Sequence, residues 1–314
     1  PGQAAKIATG GMLPDGADAV VMVEHTQMVD AVSVEIYKGV APLQHVIDAS
    51  EDFARNEPVL SPGTLVRPQE QGLIAGLGIE TVRVYRKPRA AILSTGDEIV
   101  PIHEDQGPGK IRDINSYTLS GLVEEAGAVP VRSGIVNDDP DRLKTAVEKA
   151  LAETDMVLIS GGSSVGAKDY TIEVLSAIPD SRILVHGISV SPGKPTILAR
   201  CGDKPVWGLP GQVTSAMVVM KMVAGPFLDR LRGLDQADRL VRLPAVLSRN
   251  IASAQGRRDF VRVSLEQNGS RLEAKPVLGK SGLIRTMVRA QGLVEISDHL
   301  EGLEKGSLVD VILM

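Results

Sequence analysis

The sequence predicts an α/β protein in which a central parallel-sheet α/β domain is flanked by small β-rich domains. Three observations carry this. From residue 90 to residue 160, apolar runs of strand length alternate with stretches whose apolar residues recur at helical spacing, the pattern of right-handed βαβ crossovers. Met156-Val-Leu-Ile-Ser160 is apolar at successive positions, as a strand covered on both faces requires. At both ends of the 314-residue chain, short β-branched runs stand between Gly, Pro and Asp turns.

Residues 1–46 carry two such runs, Ala19-Val-Val-Met-Val23 and Val32-Ser-Val-Glu-Ile36, and read as a β-rich domain. The chain opens Pro-Gly-Gln with neither an initiator Met nor a signal pattern, so it reads as a piece of a longer protein and that first domain as lacking its N-terminal part. Residues 47–87 form a linking portion, with a helix near Glu70 to Leu77 and a strand Thr81-Val-Arg-Val-Tyr85. The α/β domain spans residues 88–235. Its first strand is Ala90 to Ser94, followed by a helix from Asn115 to Ala126 with Leu119, Leu122, Val123 and Ala126 on one face. Val129 to Val136 is the next strand. Asp139 and Pro140 then open a helix whose apolar face is Leu143, Ala146, Val147, Ala150 and Leu151. The strand Met156 to Ser160 leads to a helix near Tyr170 to Ala177. Three β segments follow, Ile183 to Val190, Thr196 to Arg200 and Pro205 to Gly208, and a helix from Thr214 to Arg232 closes the domain. Residues 236–314 return to short strands and turns such as Gln267-Asn-Gly269, which suits a small β-barrel or sandwich.

Composition narrows the function classes. The net charge of −5 and 3% aromatic content argue against nucleic-acid binding, which needs basic surfaces and stacking platforms. No run approaches the ~20 apolar residues of a membrane helix. A single cysteine, Cys201, excludes a disulfide framework and suits a reducing, cytoplasmic setting. The five histidines are scattered without zinc-site spacing. Residues 239–314 carry +4 and the rest −9, so a mildly basic C-terminal module leans toward an anionic ligand.

In a parallel sheet, ligands belong beyond the carboxyl ends of the strands. Four polar turns fall there: Ser94-Thr-Gly-Asp-Glu98, Val136-Asn-Asp-Asp139, Ser160-Gly-Gly-Ser-Ser-Val-Gly166 and Leu209-Pro-Gly-Gln212. Gly161, Gly162 and Gly166 let backbone N–H groups turn toward an oxyanion. Asp97, Glu98, Asp138, Asp139 and Asp169 are hard oxygen donors suited to Mg²⁺, with helix capping as the competing role for Asp97, for Asp169 and for one of the pair Asp138 and Asp139, since Pro140 follows directly. Lys194, in Ser191-Pro-Gly-Lys-Pro195, is a cation in a turn stiffened by two prolines. Gly162 to Gly166 also spells the G-x-S-x-G of a hydrolase elbow with Ser164 as nucleophile, but no histidine downstream is marked as its base.

Ser94-Thr-Gly-Asp-Glu98, Asp113-Ile-Asn115, Asn137-Asp-Asp-Pro140, Gly161 to Tyr170, Pro192-Gly-Lys-Pro195 and Gly208-Leu-Pro-Gly211 together resemble the MoeA family of molybdopterin molybdenumtransferases, which includes the E domain of gephyrin. Ala8-Thr-Gly10, Pro14 to Met22 and Ser50-Glu-Asp52 extend the resemblance to the N-terminal region. It implies an elongated, multidomain homodimer whose central domain is of the molybdopterin-binding type. The activity implied is insertion of molybdate into adenylylated molybdopterin with release of AMP, with Mg²⁺ as cofactor. Its implied partners are molybdopterin adenylyltransferase and the molybdopterin synthase pathway. Carried over by motif, Asp52, Glu98, Asp138 and Asp169 match the catalytic positions, the last three also as metal ligands. Thr9, Gly162, Ser163, Ser164, Lys194, Pro210, Gly211, Ser215, Arg257 and Ser281 match substrate-binding positions. The chain departs from the family pattern at Ser50, Ser191 and Gln212-Val213, and the basic residue missing at Ser191 bears on molybdate affinity and on the choice between molybdate and tungstate. Alternatives that keep the fold are an adenylyltransferase acting on molybdopterin, a tungstate-preferring insertase and a non-catalytic scaffold.

Overall fold

The computed structural model describes residues 2–161, 170–234 and 240–314, which form two compact units, Pro1–Ser61 and Pro62–Met314. The first unit contains one hairpin, β1 (Thr26–Met28) and β2 (Val34–Ile36), paired antiparallel. The sequence places a strand at Ala19 to Val23. Instead, that segment runs into a 3-10 turn at Val23–His25, and Val23 stays exposed.

The second unit begins with α1 (Pro68–Gly76). Pro68 takes the first helical position, and Glu70 reaches back to accept from the Arg67 backbone N–H at 2.8 Å. The expected strand Thr81 to Tyr85 does not form. β-branched residues favour an extended chain, but no neighbour pairs with this one, and Val82, Val84 and Tyr85 are exposed.

The α/β core then follows the predicted order closely. Its elements are β3 (Arg89–Thr95), the short parallel pair β4 (Ile99–Val100) and β5 (Ile111–Arg112), α2 (Asn115–Glu125), β6 (Val129–Val136), α3 (Pro140–Glu153) and β7 (Met156–Ser160). From residue 170 onward come α4 (Tyr170–Ser176), β8 (Ser181–His186), β9 (Val190–Ser191), β10 (Ile197–Cys201) and β11 (Lys204–Leu209). A continuous helical stretch closes it: α5 (Val213–Val219), a π-helical turn at Met220–Ala224, and α6 (Gly225–Leu231).

The sheet order is β6-β3-β7-β11-β10-β8. The first four strands are mutually parallel, whereas β10 runs antiparallel to both of its neighbours. The reason lies in the connections: β10 and β11 are joined by a tight turn at Gly202-Asp203, too short for a crossover. Successive β3 residues point to opposite faces. Ala90 and Ile92 pack with Leu119, Val123, Met220 and Leu228, while Ala91 and Leu93 pack with Leu143, Val147, Val174 and Leu175. The result is a three-layer sandwich with helices on both faces.

The C-terminal module contains β12 (Arg242–Leu247), β13 (Ile251–Ala252), β14 (Arg258–Asn268), β15 (Arg271–Pro276), α7 (Arg285–Val288), β16 (Gly292–Ile296), β17 (Gly302–Leu303) and β18 (Leu308–Leu313). The ladder β15-β12-β18-β16-β14 closes on itself through β14–β15, giving a five-stranded barrel around Leu247, Val263, Val294, Ile296 and Val311. The register pairs Asn268 with Arg271, so the hairpin turn is Gly269-Ser270, with φ of +59° at Gly269. β9 is read in the sequence as the end of one long strand from Ile183. It instead leaves the α/β sheet and pairs parallel with β14, Val190 against Arg258 and Ser191 against Asp259.

Candidate functional site

Because β3, β6, β7 and β11 are parallel, their carboxyl ends share one rim. A cleft of about 1120 Å³ opens there, walled on one side by this rim and on the other by the β9 turn and the barrel. Ser94, Thr95 and Glu98 line it from β3 and its turn, Ser160 and Gly161 from β7, and Pro210, Gly211, Gln212 and Ser215 from the end of β11 and α5. Ser191 to Pro195 line the opposite wall with Ala254 to Arg257 and Ser281-Gly282.

Of the sequence-predicted residues, this brings together Glu98, Lys194, Pro210, Gly211, Ser215, Arg257 and Ser281. Gly162, Ser163, Ser164 and Asp169 lie outside the described residues, as does the hydrolase reading that rests on Ser164. Thr9 and Asp52 are exposed residues of the first unit.

Tight backbone approaches build the rim. Gly161 has φ of +113°, and a Cβ there would stand 2.2 Å from the Thr95 carbonyl oxygen, so only glycine lets β7 leave beside β3. Gly96, at φ +146°, would put a Cβ 2.7 Å from the Glu98 Oε2, so the Glu98 carboxylate lies directly over the bare turn.

Asp97 serves a different purpose from capping. Its Oδ1 accepts from Asn137 Nδ2 at 3.1 Å and from the Asp138 N–H at 3.2 Å, which sews the β3 turn to the β6 turn. The Asn137 amide, then the Asp138 N–H, hold the Asp97 carboxyl below its ordinary value. Asp139 is the cap of α3, accepting from the N–H groups of Asp141 and Arg142. Asp138, thereby left free of capping, is exposed and does not line the cleft; Thr95 Oγ1 donates to its Oδ1 across 3.4 Å. Among the described residues, no group of three His, Cys, Asp or Glu side chains comes together that could hold a metal ion. Glu98 and Asp138 do supply the hard carboxylate oxygens that Mg²⁺ prefers.

Two functional positions escape strand-end reasoning. Asn115, the first residue of α2, donates from Nδ2 to Ser160 Oγ at 2.6 Å and to the Gly211 carbonyl at 2.8 Å. Asp113, buried, accepts from Ser94 Oγ at 2.9 Å and from the Ser116 N–H at 3.0 Å. Both lie before a helix rather than after a strand; the available signal was Asp-Ile-Asn immediately ahead of a helical apolar pattern.

On the barrel side, Arg257 pairs with Asp259, Nε to Oδ1 at 2.9 Å and Nη2 to Oδ2 at 3.2 Å, and Ser253 Oγ donates to the same carboxylate. Arg112 spends its donors on the carbonyls of Ile102 and Glu104. Lys194 is exposed to the cleft from a turn that Gly193 lets close against Val219. Among the described lining, Arg112 and Lys194 have no carboxylate partner, and of the two only Lys194 does not spend its donors on backbone carbonyls; it stands opposite Glu98 and the β7 end at Ser160 and Gly161. Such an arrangement suits a ligand with both a phosphate-rich part and a separate oxyanion.

Comparison with known proteins agrees with this geometry. Residues 91–230 match the family model described as "probable molybdopterin binding domain", residues 1–78 the MoeA N-terminal region (domain I and II), and residues 244–314 the MoeA C-terminal region (domain IV). A protein of Methanocaldococcus jannaschii named for molybdopterin biosynthesis is 38% identical over all of this chain and 76% of its own length. Molybdopterin molybdenumtransferase 2 of Mycobacterium tuberculosis is 31% identical, over 99% of this chain and 77% of that protein. Among solved structures, a molybdopterin biosynthesis MoeA protein from Pyrococcus horikoshii OT3 superposes with a TM-score of 0.80 at 30% identity, covering 98% of this chain and 74% of that one. With its three successive regions matched in order and its cleft at the rim of the central domain, the chain belongs to the MoeA family.

Proposed function

We propose that this chain inserts molybdate into adenylylated molybdopterin and releases AMP, the step that completes the molybdenum cofactor. The observation that carries this reading is the two-sided cleft. One wall is the glycine- and serine-lined rim with the Glu98 carboxylate; the other presents Lys194, with Ser191 and Ser281 as neutral donors. A phosphoanhydride suits the first wall, and a tetrahedral oxyanion the second.

In this reading Lys194 attracts and orients molybdate, the substrate, while Asn115 keeps the Ser160 and Gly211 ends of the rim in one arrangement for the pterin nucleotide. A divalent cation such as Mg²⁺ would be held by the Glu98 carboxylate and would neutralise phosphate charge during cleavage; of the other two carboxylates assigned to it, Asp138 lies off the cleft beside Thr95 and Asp169 lies outside the described residues. Water cleaves the phosphoanhydride, leaving one phosphate on AMP and one on molybdopterin; the two dithiolene sulfurs bond to molybdenum, and one molybdate oxygen leaves as water with the two thiol protons. The chain acts as a homodimer in the cytoplasm, downstream of molybdopterin synthase and the adenylyltransferase.

Anaerobic incubation of the protein with adenylylated molybdopterin and molybdate, followed by chromatography of AMP, tests the reading. Glu98→Ala and Lys194→Ala should each lower molybdate-dependent AMP release by at least about tenfold, the effect of losing one charge-assisted contact. Undiminished release by both variants would overturn it. Transfer of AMP from ATP onto molybdopterin would place the chain one step earlier.

A further inference from the structure

The wall of the cleft formed by Ser281 and Gly282 hangs from a side chain that never touches the cleft. Arg262 lies on β14 of the barrel, and its guanidinium reaches under the loop between β15 and α7. Nη2 donates to the Gly279 carbonyl at 2.8 Å, near the loop's start, and Nη1 donates to Thr286 Oγ1 at 3.0 Å, near its end. Thr286 Oγ1 in turn donates to the Leu283 carbonyl at 2.7 Å. The Arg262 carbonyl accepts from the Val277 N–H at 2.8 Å, so the same residue also holds the loop's point of departure.

The loop's two stems are in close contact. A Cβ at Gly279 would stand 2.7 Å from Thr286 Cγ2, leaving no room for another residue type unless Thr286 moves. At its tip the loop is latched to the other wall: Thr214 donates from its N–H at 3.0 Å and from Oγ1 at 2.8 Å to the Ser281 carbonyl. Thr214 lies in the first turn of α5, the helix that carries Ser215.

Arg262 is a costly choice for a merely structural strut. No carboxylate pairs with it among the described residues, its Nε is buried without a partner, and burial pushes the guanidinium pKa down. A planar fork that spans two stems at once is something a lysine ammonium cannot supply.

We propose that Arg262 is a positioning residue that fixes the Ser281–Gly282 wall of the cleft by tying together both stems of the 277–286 loop. It acts through Ser281 and not by contact with substrate. The loop geometry stands by itself; the effect on turnover rests on the function proposed above.

Hydrogen exchange on the ligand-free protein decides the first part, comparing wild type, Arg262→Lys and Thr286→Val. Exchange of the Leu283, Thr286 and Thr214 amides, which donate to the Lys280, Leu283 and Ser281 carbonyls, should rise by roughly tenfold or more in both variants, as loss of a hydrogen bond to a charged donor implies, while β14 and β16 keep their wild-type protection. Unchanged loop exchange, or exchange rising equally through the barrel strands, would overturn the proposal. Because Thr286→Val keeps the arginine and is nearly isosteric, it carries the same readout if Arg262→Lys does not fold. In the AMP-release assay, Arg262→Lys should raise KM for the pterin nucleotide more than it lowers kcat, and adding Ser281→Ala should cost little more. Independent, multiplicative effects of the two substitutions would count against action through Ser281. A wild type without AMP release would refute the function and leave the exchange result decisive for the clamp.

Discussion

Asn115 Nδ2 and Ser160 Oγ lie 2.6 Å apart, and the same amide reaches the Gly211 carbonyl at 2.8 Å, so one side chain ties the carboxyl ends of β7 and β11 together. The β7–β11 ladder itself runs to Ser160 against Leu209 and ends with the Gly161 N–H donating to the Leu209 carbonyl, and the amide adds a tie from α2 that reaches one residue further, to Gly211. Asn115→Asp replaces two N–H donors with a carboxylate facing a carbonyl and a hydroxyl. It should lower kcat/KM for AMP release by about 10- to 100-fold, given ~1–3 kcal/mol for an unmade buried hydrogen bond. Steady-state kinetics beside a thermal melt checks this; a large fall in melting temperature would shift the explanation to folding.

Gly161 and Gly211 offer a matched pair of substitutions. A Cβ at Gly161 meets the Thr95 carbonyl oxygen at 2.2 Å with φ at +113°, whereas at Gly211 it would sit 3.5 Å from the Gly161 Cα, an ordinary contact. Gly161→Ala should therefore destabilise by about 2–4 kcal/mol, and Gly211→Ala by less than about 1 kcal/mol. Urea unfolding of the two variants side by side reads the difference, and equal losses would contradict the account.

Glu70 carries a pH dependence of predictable sign. Arg67, chiefly through its side-chain hydrogen bonds, lowers the Glu70 carboxyl from 4.5 to about 2. A carboxylate with a depressed folded-state pKa contributes its stability fully above the unfolded value and loses it as protons bind the folded form. The start of α1 should thus be intact above pH 4.5 and weaken as pH falls from 4.5 toward 2. Carbon-13 NMR titration of the Glu70 carboxyl should show a midpoint near 2 that moves back toward 4.5 in Arg67→Ala.

The α/β core was legible because its strands are buried on both faces. Ala90 to Leu93 and Met156 to Ile159 are fully buried, and such runs have few alternatives in sequence. Thr81 to Tyr85 shows the limit: β-branched content marks willingness to extend, but a strand exists only where another chain segment offers hydrogen bonds. The antiparallel edge at β10 was hidden for a related reason, since direction follows from connection length and not from composition.

Site legibility divides along similar lines. Glu98 and Gly211 were found because topology sends every parallel strand end to one rim, and Lys194 because two prolines stiffen its turn. Asn115 and Asp113 were not, because their value comes from Ser160, Gly211 and Ser94, which are 19 to 96 positions away in sequence. Asp97 carried the signal of a capping or metal-binding carboxylate and proved to be a stitch between two turns, a distinction only the position of Asn137 makes.

The two residues of β9 decide what can be taken apart. With Val190 and Ser191 paired to Arg258 and Asp259, the Pro192-Gly-Lys194 turn takes its bearings from the barrel even though its chain belongs to the α/β layer. Lys194 thereby shares its footing with Arg257 and Ser281, while the Thr214 bonds to the Ser281 carbonyl fasten that wall to the strand-end rim. A fragment trimmed to the α/β layer would inherit the rim and lose the template that aims its lysine.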